Sequence, residues 1–149
     1  MNKNLIFFIF TTLAGCTTWQ HPPPNVLKAF TSDGCSLSPN GTSTDPNALL
    51  KCCIHHDYAY WKGGTRDERA QADLELKACI TDASSARLGE IYYRGVRIGG
   101  SNVFKTDFRW GYGWSRGRDD SPLTLEESAQ VKTQTENIDW DAVFQELSR

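Results

Sequence analysis

One stretch of the sequence decides the fold: Cys52-Cys53-Ile54-His55-His56-Asp57-Tyr58-Ala59-Tyr60. On a helix, Cys52, His56 and Tyr60 recur at four-residue spacing and share one face. Asp57 lies about 100° further round the helix. A histidine and an aspartate can therefore face two sides of one cleft, where the histidine can act as a general base near neutral pH.

Capping signals predict a helix on each side of a glycine turn. Asp45 is typical of an N-cap and Pro46 of a first helical position, and the predicted helix over 46–62 stops at the two glycines that follow. Thr65 opens a capping box, which predicts a second helix from 66 to about 86. Two long helices joined by a Gly-Gly turn are expected to pack antiparallel, so the predicted fold class is mainly α.

The stretch from 52 to 60 resembles the active-site motif of the secreted phospholipase A2 family. In that motif two cysteines and two spacers precede a His-Asp pair, and a tyrosine follows three residues after the aspartate. The resemblance selects His56, the second of two adjacent histidines, as the catalytic base, and implies that Asp57 binds Ca²⁺. It also implies that Asp73 on the second helix orients His56 and that Tyr60 hydrogen-bonds Asp73. Tyr58 replaces a cysteine that is frequent in the animal enzymes, which is compatible with the simpler prokaryotic forms.

A second resemblance lies upstream, where Asp33-Gly34-Cys35 is similar to the calcium loop of the prokaryotic secreted enzymes. In that loop an aspartate side chain and the next backbone carbonyl bind the metal. The similarity therefore implies that Asp33 and Gly34 are calcium ligands. The backbone carbonyl of Ser36 is a further candidate, because Ca²⁺ takes six to eight oxygen ligands.

The cysteine count fits an exported protein. The chain has five cysteines, and Cys16 is expected to be lipidated because of the N-terminal motif described below. The remaining four are an even number suited to disulfides in an oxidising compartment. Because the adjacent Cys52 and Cys53 rarely bond each other, two pairings remain open from the residues alone. The family resemblance implies the pairs Cys35–Cys53 and Cys52–Cys79. Zinc binding is an alternative use of these cysteines, but no C-x-x-C pair is present.

The N-terminus predicts a lipoprotein signal peptide over 1–15. A short polar start is followed by an apolar run that is too short to span a membrane. The run ends in Leu13-Ala14-Gly15-Cys16, which resembles the bacterial lipobox and implies lipidation of Cys16. The implied location is the bacterial cell envelope, and Thr17 after the cysteine favours the outer membrane.

A proline-rich tether over 16–25 is expected to lead into one domain over 26–149, whose core is 33–86. Aromatic residues alternate with small or polar ones from Phe108 to Trp114, and this period of two predicts an extended element near 104–114.

Two further capping signals lie in the tail. Thr124 opens a second capping box, which predicts a helix to about residue 134. Asp139 is expected to cap a last helix over 140–147.

Charge is unevenly distributed along the C-terminal half. Residues 87–118 contain seven basic and two acidic side chains, whereas 119–149 contain two basic and eight acidic ones. A basic, aromatic segment suits anionic lipid headgroups. The interpretation that we favour is a strand that covers the core, with the acidic tail packed against it. The net charge of −2 gives no reason to expect a nucleic-acid partner.

The resemblance implies calcium-dependent hydrolysis of the sn-2 ester of glycerophospholipids, with a phospholipid membrane as substrate. Two alternatives are a non-catalytic, lipid-anchored module that binds calcium or lipid, and an envelope lipoprotein with a purely structural role. A phospholipase anchored in a membrane would also need restraint, so we expect an inhibitory or activating protein partner.

Overall fold

The computed structural model describes residues 25–101 and 106–149, and within these ranges the chain is mainly helical, with five helices and no strand. The helices are α1 (Leu50–Lys62), α2 (Arg66–Ala83), α3 (Ala86–Gly99), α4 (Leu125–Glu136) and α5 (Trp140–Leu147). None of these described helices is long and apolar enough to cross a membrane. The predicted signal peptide, Cys16 and the tether up to residue 24 lie outside the described residues.

Helices α1 and α2 form the antiparallel pair that the sequence predicts. A disulfide joins Cys52 near the start of α1 to Cys79 near the end of α2. Gly63 ends α1 with a φ of +66°, a left-handed conformation that favours glycine. The predicted capping box is confirmed, since Thr65 accepts from the backbone N–H of Glu68 and the Glu68 side chain accepts from that of Thr65.

The start of α1 differs from the prediction, because the helix begins at Leu50 and not at residue 46. Asp45 caps the preceding turn instead, and its Oδ1 accepts from the backbone N–H of Asn47 at 2.9 Å. The N–H of Leu49 donates to the carbonyl of Asn40 at 2.8 Å. This bond ties the turn to the upstream loop, and it explains why the helix starts later than the local signal suggests.

Two disulfides hold the core together, and both pairings implied by the resemblance are confirmed. Cys35–Cys53 fastens the upstream loop to α1, and Cys52–Cys79 fastens α1 to α2. Cys35, Cys52 and Cys53 belong to one cluster of buried side chains, which also includes Leu49, Leu76, Ile80 and Tyr92, whereas Cys79 is exposed on α2. The first bond therefore joins the loop to α1 inside the core, and the second joins α1 to the exposed surface of α2.

Helix α3 is a structural element that the sequence reading missed. The predicted helix from 66 to about 86 is present but ends at Ala83, and the sequence did not predict the separate helix that follows it. Ser85 then caps α3 by accepting from the backbone N–H of Leu88. Gly89 allows α3 to approach α2 closely, since a Cβ atom there would lie 2.3 Å from Oγ1 of Thr81. Packing against α2 thus offsets the low helix propensity of the three glycines in α3.

The predicted extended element near 104–114 is also wrong. Residues 102–105 lie outside the described residues, and the rest of the segment forms successive turns. Backbone N–H groups donate to carbonyls three residues earlier in the pairs Arg109 to Thr106, Tyr112 to Arg109 and Trp114 to Gly111. The one antiparallel bridge among the described residues joins Trp114 to Leu27.

The end of α1 explains why the aromatic segment turns. The last carbonyls of a helix have no partner within it and need donors from elsewhere. Gly111 and Gly113 donate their backbone N–H groups to the carbonyls of Tyr60 and Trp61, at 2.7 and 3.1 Å. The indole N–H of Trp114 donates to the carbonyl of Lys62 at 2.8 Å. Residues 110–114 therefore serve as a tertiary cap for α1.

The acidic tail packs against this cap. Thr124 forms the predicted capping box at the start of α4, and Asp139 caps α5, so both predictions are confirmed. Val131 of α4 packs on the buried cluster that contains Trp114. Arg118 pairs with Glu127 at 3.0 Å. The expectation of a packed tail therefore holds, although the segment that it covers is not a strand.

The disulfide between Cys52 and Cys79 closes a sequence separation of 27 residues. We expect the Cys52→Ala/Cys79→Ala double variant to lose about 3–4 kcal/mol of unfolding free energy, because the unfolded chain gains loop entropy. Urea denaturation followed by circular dichroism measures this difference. The matched control is Cys35→Ala/Cys53→Ala, which opens a separation of 18 residues and should lose a similar amount. A loss below about 1 kcal/mol would contradict the prediction.

Candidate active site

The centre of the candidate site is a buried pair formed by His56 of α1 and Asp73 of α2. Nε2 of His56 lies 2.8 Å from Oδ1 of Asp73, and the two residues are 8% and 0% exposed. The Tyr60 hydroxyl donates to the same oxygen at 2.7 Å. The structure thus brings together the three residues that the resemblance assigned to catalysis.

A third helix also contributes to this centre. Nη1 of Arg97, on α3, donates to Oδ2 of Asp73 at 2.7 Å. Burial by itself raises the pKa of Asp73, but hydrogen bonds from His56, Tyr60 and Arg97 outweigh it and hold that pKa below its usual value. Asp73 is therefore an ionised acceptor, and Nε2 of His56 carries the proton of their shared bond. Sequence reasoning missed Arg97, because α3 carried no recognised motif.

Asp57 has the opposite electrostatic environment. Its carboxyl is 8% exposed, and its Oδ2 accepts from the Ser32 hydroxyl at 2.5 Å. Burial raises the pKa of Asp57 to about 8, against the lowering effect of the Ser32 bond, and the nearby negative charge of Asp33 adds to the rise. Two carboxylates thus lie close enough to repel each other, which is a situation that a bound cation relieves.

The loop that carries Asp33 has an unusual backbone. Gly34 has a φ of +77°, while Ser36 and Leu37 have φ values of +28° and +56°, which side chains rarely adopt. The Ser36 hydroxyl donates to Oδ1 of Asp33 at 2.6 Å. Cys35 fixes the loop to α1 through its disulfide. The loop therefore holds Asp33 and Gly34 next to the helix that carries Asp57.

The donor set at this place suits a hard cation. Across residues 25–101 and 106–149, no three His, Cys, Asp or Glu side chains converge as a ready-made metal group. The carboxylates of Asp57 and Asp33 nevertheless interact electrostatically, and both are oxygen donors of the kind that Ca²⁺ prefers. Backbone carbonyls such as those of Gly34 and Ser36 would have to complete the shell. The residues present therefore fit calcium held by two carboxylates and carbonyls.

A largely apolar cavity of about 540 Å³ opens beside these groups. Polar groups of His56, Asp57 and Tyr60 reach its wall. The apolar lining comes mainly from α2, α3 and the segment after it, through Leu76, Ile91, Val96, Ile98 and Phe108. Ile91, Ile98 and Leu37 line the cavity and are also exposed to solvent, Leu37 by 96%. The cavity is thus a largely apolar space whose wall includes His56, and the sequence did not predict it.

The raised pKa of Asp57 predicts how the stability of the metal-free protein depends on pH. Below about pH 4 the carboxyl is protonated in the folded and the unfolded chain alike. Between that pH and about 8, the unfolded chain ionises while the folded chain keeps the proton, so the free energy of unfolding falls as pH rises. We expect Asp57→Asn to remove this fall in the free energy of unfolding. Its melting temperature in chelator should exceed that of the wild type by a margin that grows between these two pH values.

The matched control for this prediction is Asp82→Asn, which removes a carboxylate from the exposed surface of α2. Between these two pH values, its melting temperature relative to the wild type should change far less than that of Asp57→Asn. Parallel pH curves for Asp57→Asn and the wild type would contradict the prediction.

No protein-family model, no curated protein and no solved structure matches this chain.

Proposed function

We propose that the protein hydrolyses the sn-2 ester bond of glycerophospholipids in a calcium-dependent reaction, with His56 as general base. One observation carries the proposal: the buried His56–Asp73 pair lies at an apolar cavity of about 540 Å³ that the Asp57 carboxylate also lines. A base, a candidate metal ligand and a slot for an acyl chain are the parts that such a reaction needs. The ester position and the lipid class come from the resemblance of residues 52–60 to the phospholipase A2 motif.

In the proposed mechanism His56 moves the proton. Because Nε2 donates to Asp73, Nδ1 is left as the acceptor. A water oxygen bonds to the ester carbonyl carbon as its proton passes to Nδ1, and the bond from that carbon to the glycerol oxygen breaks as His56 returns the proton to the leaving oxygen. Asp73 stays ionised and stabilises the protonated imidazole, while Tyr60 helps to orient the Asp73 carboxylate.

The residues that would hold calcium are Asp57 and Asp33, with the carbonyls of Gly34 and Ser36. When bound, the ion supplies a Lewis acid for the negative charge that develops on the ester carbonyl oxygen. The apolar walls of the cavity exclude water from the bound chain, which strengthens the electrostatic interactions at the reacting bond. Lipidation of Cys16 and an outer-membrane location belong to the same proposal, since they would keep the enzyme at its substrate.

The first test is fatty-acid release from phosphatidylcholine–detergent mixed micelles by the full-length protein, with Ca²⁺ and with chelator. We expect His56→Gln to lower kcat by about 100- to 10,000-fold, because the general base is lost. The matched control is His55→Gln on the same helix, which changes an exposed imidazole and should keep activity. Release that persists in His56→Gln would contradict the mechanism. Calcium binding without any release by the wild type would favour a non-catalytic binding module.

Calcium binding gives a second test that does not depend on turnover. We expect Asp57→Asn and Asp33→Asn each to weaken calcium affinity by about tenfold or more, since even outer-shell partners of a metal cost this much. Isothermal titration calorimetry measures the affinity, and Asp82→Asn is again the matched control. Unchanged affinity in Asp57→Asn would overturn the assignment of this loop as the metal site.

A further inference from the structure

The buried carboxylate of Asp73 is held at both of its oxygens by different helices. Oδ1 accepts from Nε2 of His56 and from the Tyr60 hydroxyl, both on α1. Oδ2 accepts from Nη1 of Arg97, on α3, at 2.7 Å. The Asp73 side chain is fully buried, whereas that of Arg97 is 36% exposed. Arg97 is therefore the cationic partner of a carboxylate that water does not reach.

A second arginine holds the part of α3 that carries Arg97. Nη2 of Arg69, on α2, donates to the backbone carbonyls of Arg97 and Val96 at 2.9 and 3.2 Å. Nε of the same side chain donates to the Tyr60 hydroxyl at 3.1 Å. Carbonyls in the last turn of a helix lack partners within the helix and attract cations. The last turn of α3 is thus fixed to the same group of residues that surrounds Asp73.

We propose that Arg97 is a positioning residue for the hydrolysis. By donating a hydrogen bond to Oδ2 of Asp73, it keeps the carboxylate in the orientation in which Oδ1 accepts the hydrogen bond from Nε2 of His56. This inference rests on the proposed function and adds to it a residue that does not touch the reacting atoms. It also gives α3 a second role, because Val96 and Ile98 on either side of Arg97 line the apolar cavity. One helix therefore forms the cavity wall and holds the partner of the base.

Removal of the Arg97 side chain would leave one oxygen of Asp73 unpaired. Without Arg97, Oδ2 of Asp73 would be a buried charged acceptor without its donor, and such a group is costly to leave unsatisfied. The carboxylate would relieve this cost by rotating toward its remaining donors, which would shift the atom that fixes the His56 ring. A displacement of about 1 Å in a catalytic group can cost about 100-fold in rate. The loss is expected in the chemical step and not in lipid binding, because Arg97 does not line the cavity.

The experiment compares three variants of the full-length protein in phosphatidylcholine–detergent mixed micelles. Arg97→Met removes the charge and the donor, and Arg97→Lys keeps both. Arg94→Met is the matched control, since Arg94 lies one turn earlier on α3, is 75% exposed and pairs with Glu90. We expect Arg97→Met to lower kcat by about 10- to 100-fold with KM changed less than about twofold. Arg97→Lys should recover most of kcat, because a single nitrogen of Arg97 contacts Asp73, and Arg94→Met should match the wild type.

Two results would overturn the inference. One is that Arg97→Met has the same kcat and the same melting temperature as the wild type. The other is an equal loss of kcat in Arg97→Met and Arg94→Met, which would indicate a general effect of charge on α3. If Arg97→Met does not fold, Arg97→Lys decides alone. Activity close to that of the wild type then supports a positioning cation, and a loss beyond about 100-fold contradicts it.

A spectroscopic measurement separates this inference from the proposed function. The Nε2–H resonance of His56 in ¹⁵N-correlated NMR spectra reports its bond to Asp73 whether or not the protein turns over lipid. We expect this resonance to shift or disappear in Arg97→Met and to stay unchanged in Arg94→Met. An unchanged resonance in Arg97→Met would overturn the positioning role. Absence of lipid hydrolysis by the wild type would instead overturn the proposed function, and the resonance would still decide whether Arg97 positions the His56–Asp73 pair.

Discussion

The buried carboxylate of Asp73 is the constraint on which the arrangement of three helices depends. A charge that is removed from water costs several kcal/mol unless hydrogen bonds and an opposite charge compensate it. Here α1 supplies His56 and Tyr60, and α3 supplies Arg97. Because all of these donors have to reach the two oxygens of one carboxylate, α1, α2 and α3 have little freedom to move relative to one another. The same carboxylate fixes the orientation of the His56 ring through the hydrogen bond at Nε2.

Two buried aspartates in this domain have environments that drive their pKa values apart. Asp73 is surrounded by donors and a cation, so its pKa is lowered despite burial. Asp57 is buried and lies near the negative charge of Asp33, and together these raise its pKa to about 8 despite the hydrogen bond from Ser32. Such a separation between the pKa values of two carboxyl groups is typical of sites where the groups have different roles. In the proposed function, Asp73 orients the base as a permanent anion, and Asp57 becomes an anion together with the cation that it binds.

The cavity and the end of α1 show how distant parts of the chain complete the site. Turns at 110–114 satisfy the last carbonyls of α1, through the backbone of Gly111 and Gly113 and the indole of Trp114. The tail packs on these turns through Val131. Gly100 packs closely against the Tyr60 ring, since a Cβ atom at residue 100 would lie 2.3 Å from Cε1 of Tyr60. The position of Tyr60, and through it that of Asp73, therefore depends on residues far along the chain.

Features that depend on neighbours within a few residues could be predicted from the sequence. The capping boxes at Thr65 and Thr124 and the cap at Asp139 were predicted because each signal and its partner lie within one helical turn. The family resemblance added both disulfide pairings and the contacts among His56, Tyr60 and Asp73. Only the tertiary structure decided that α3 exists as a separate helix, that the aromatic segment turns, and that Arg97 meets Asp73. These features depend on contacts between residues that are distant in sequence, such as Asp73 and Arg97, which are 24 residues apart. Periodicity along the chain carries no information about which distant groups will need each other's charges and hydrogen bonds.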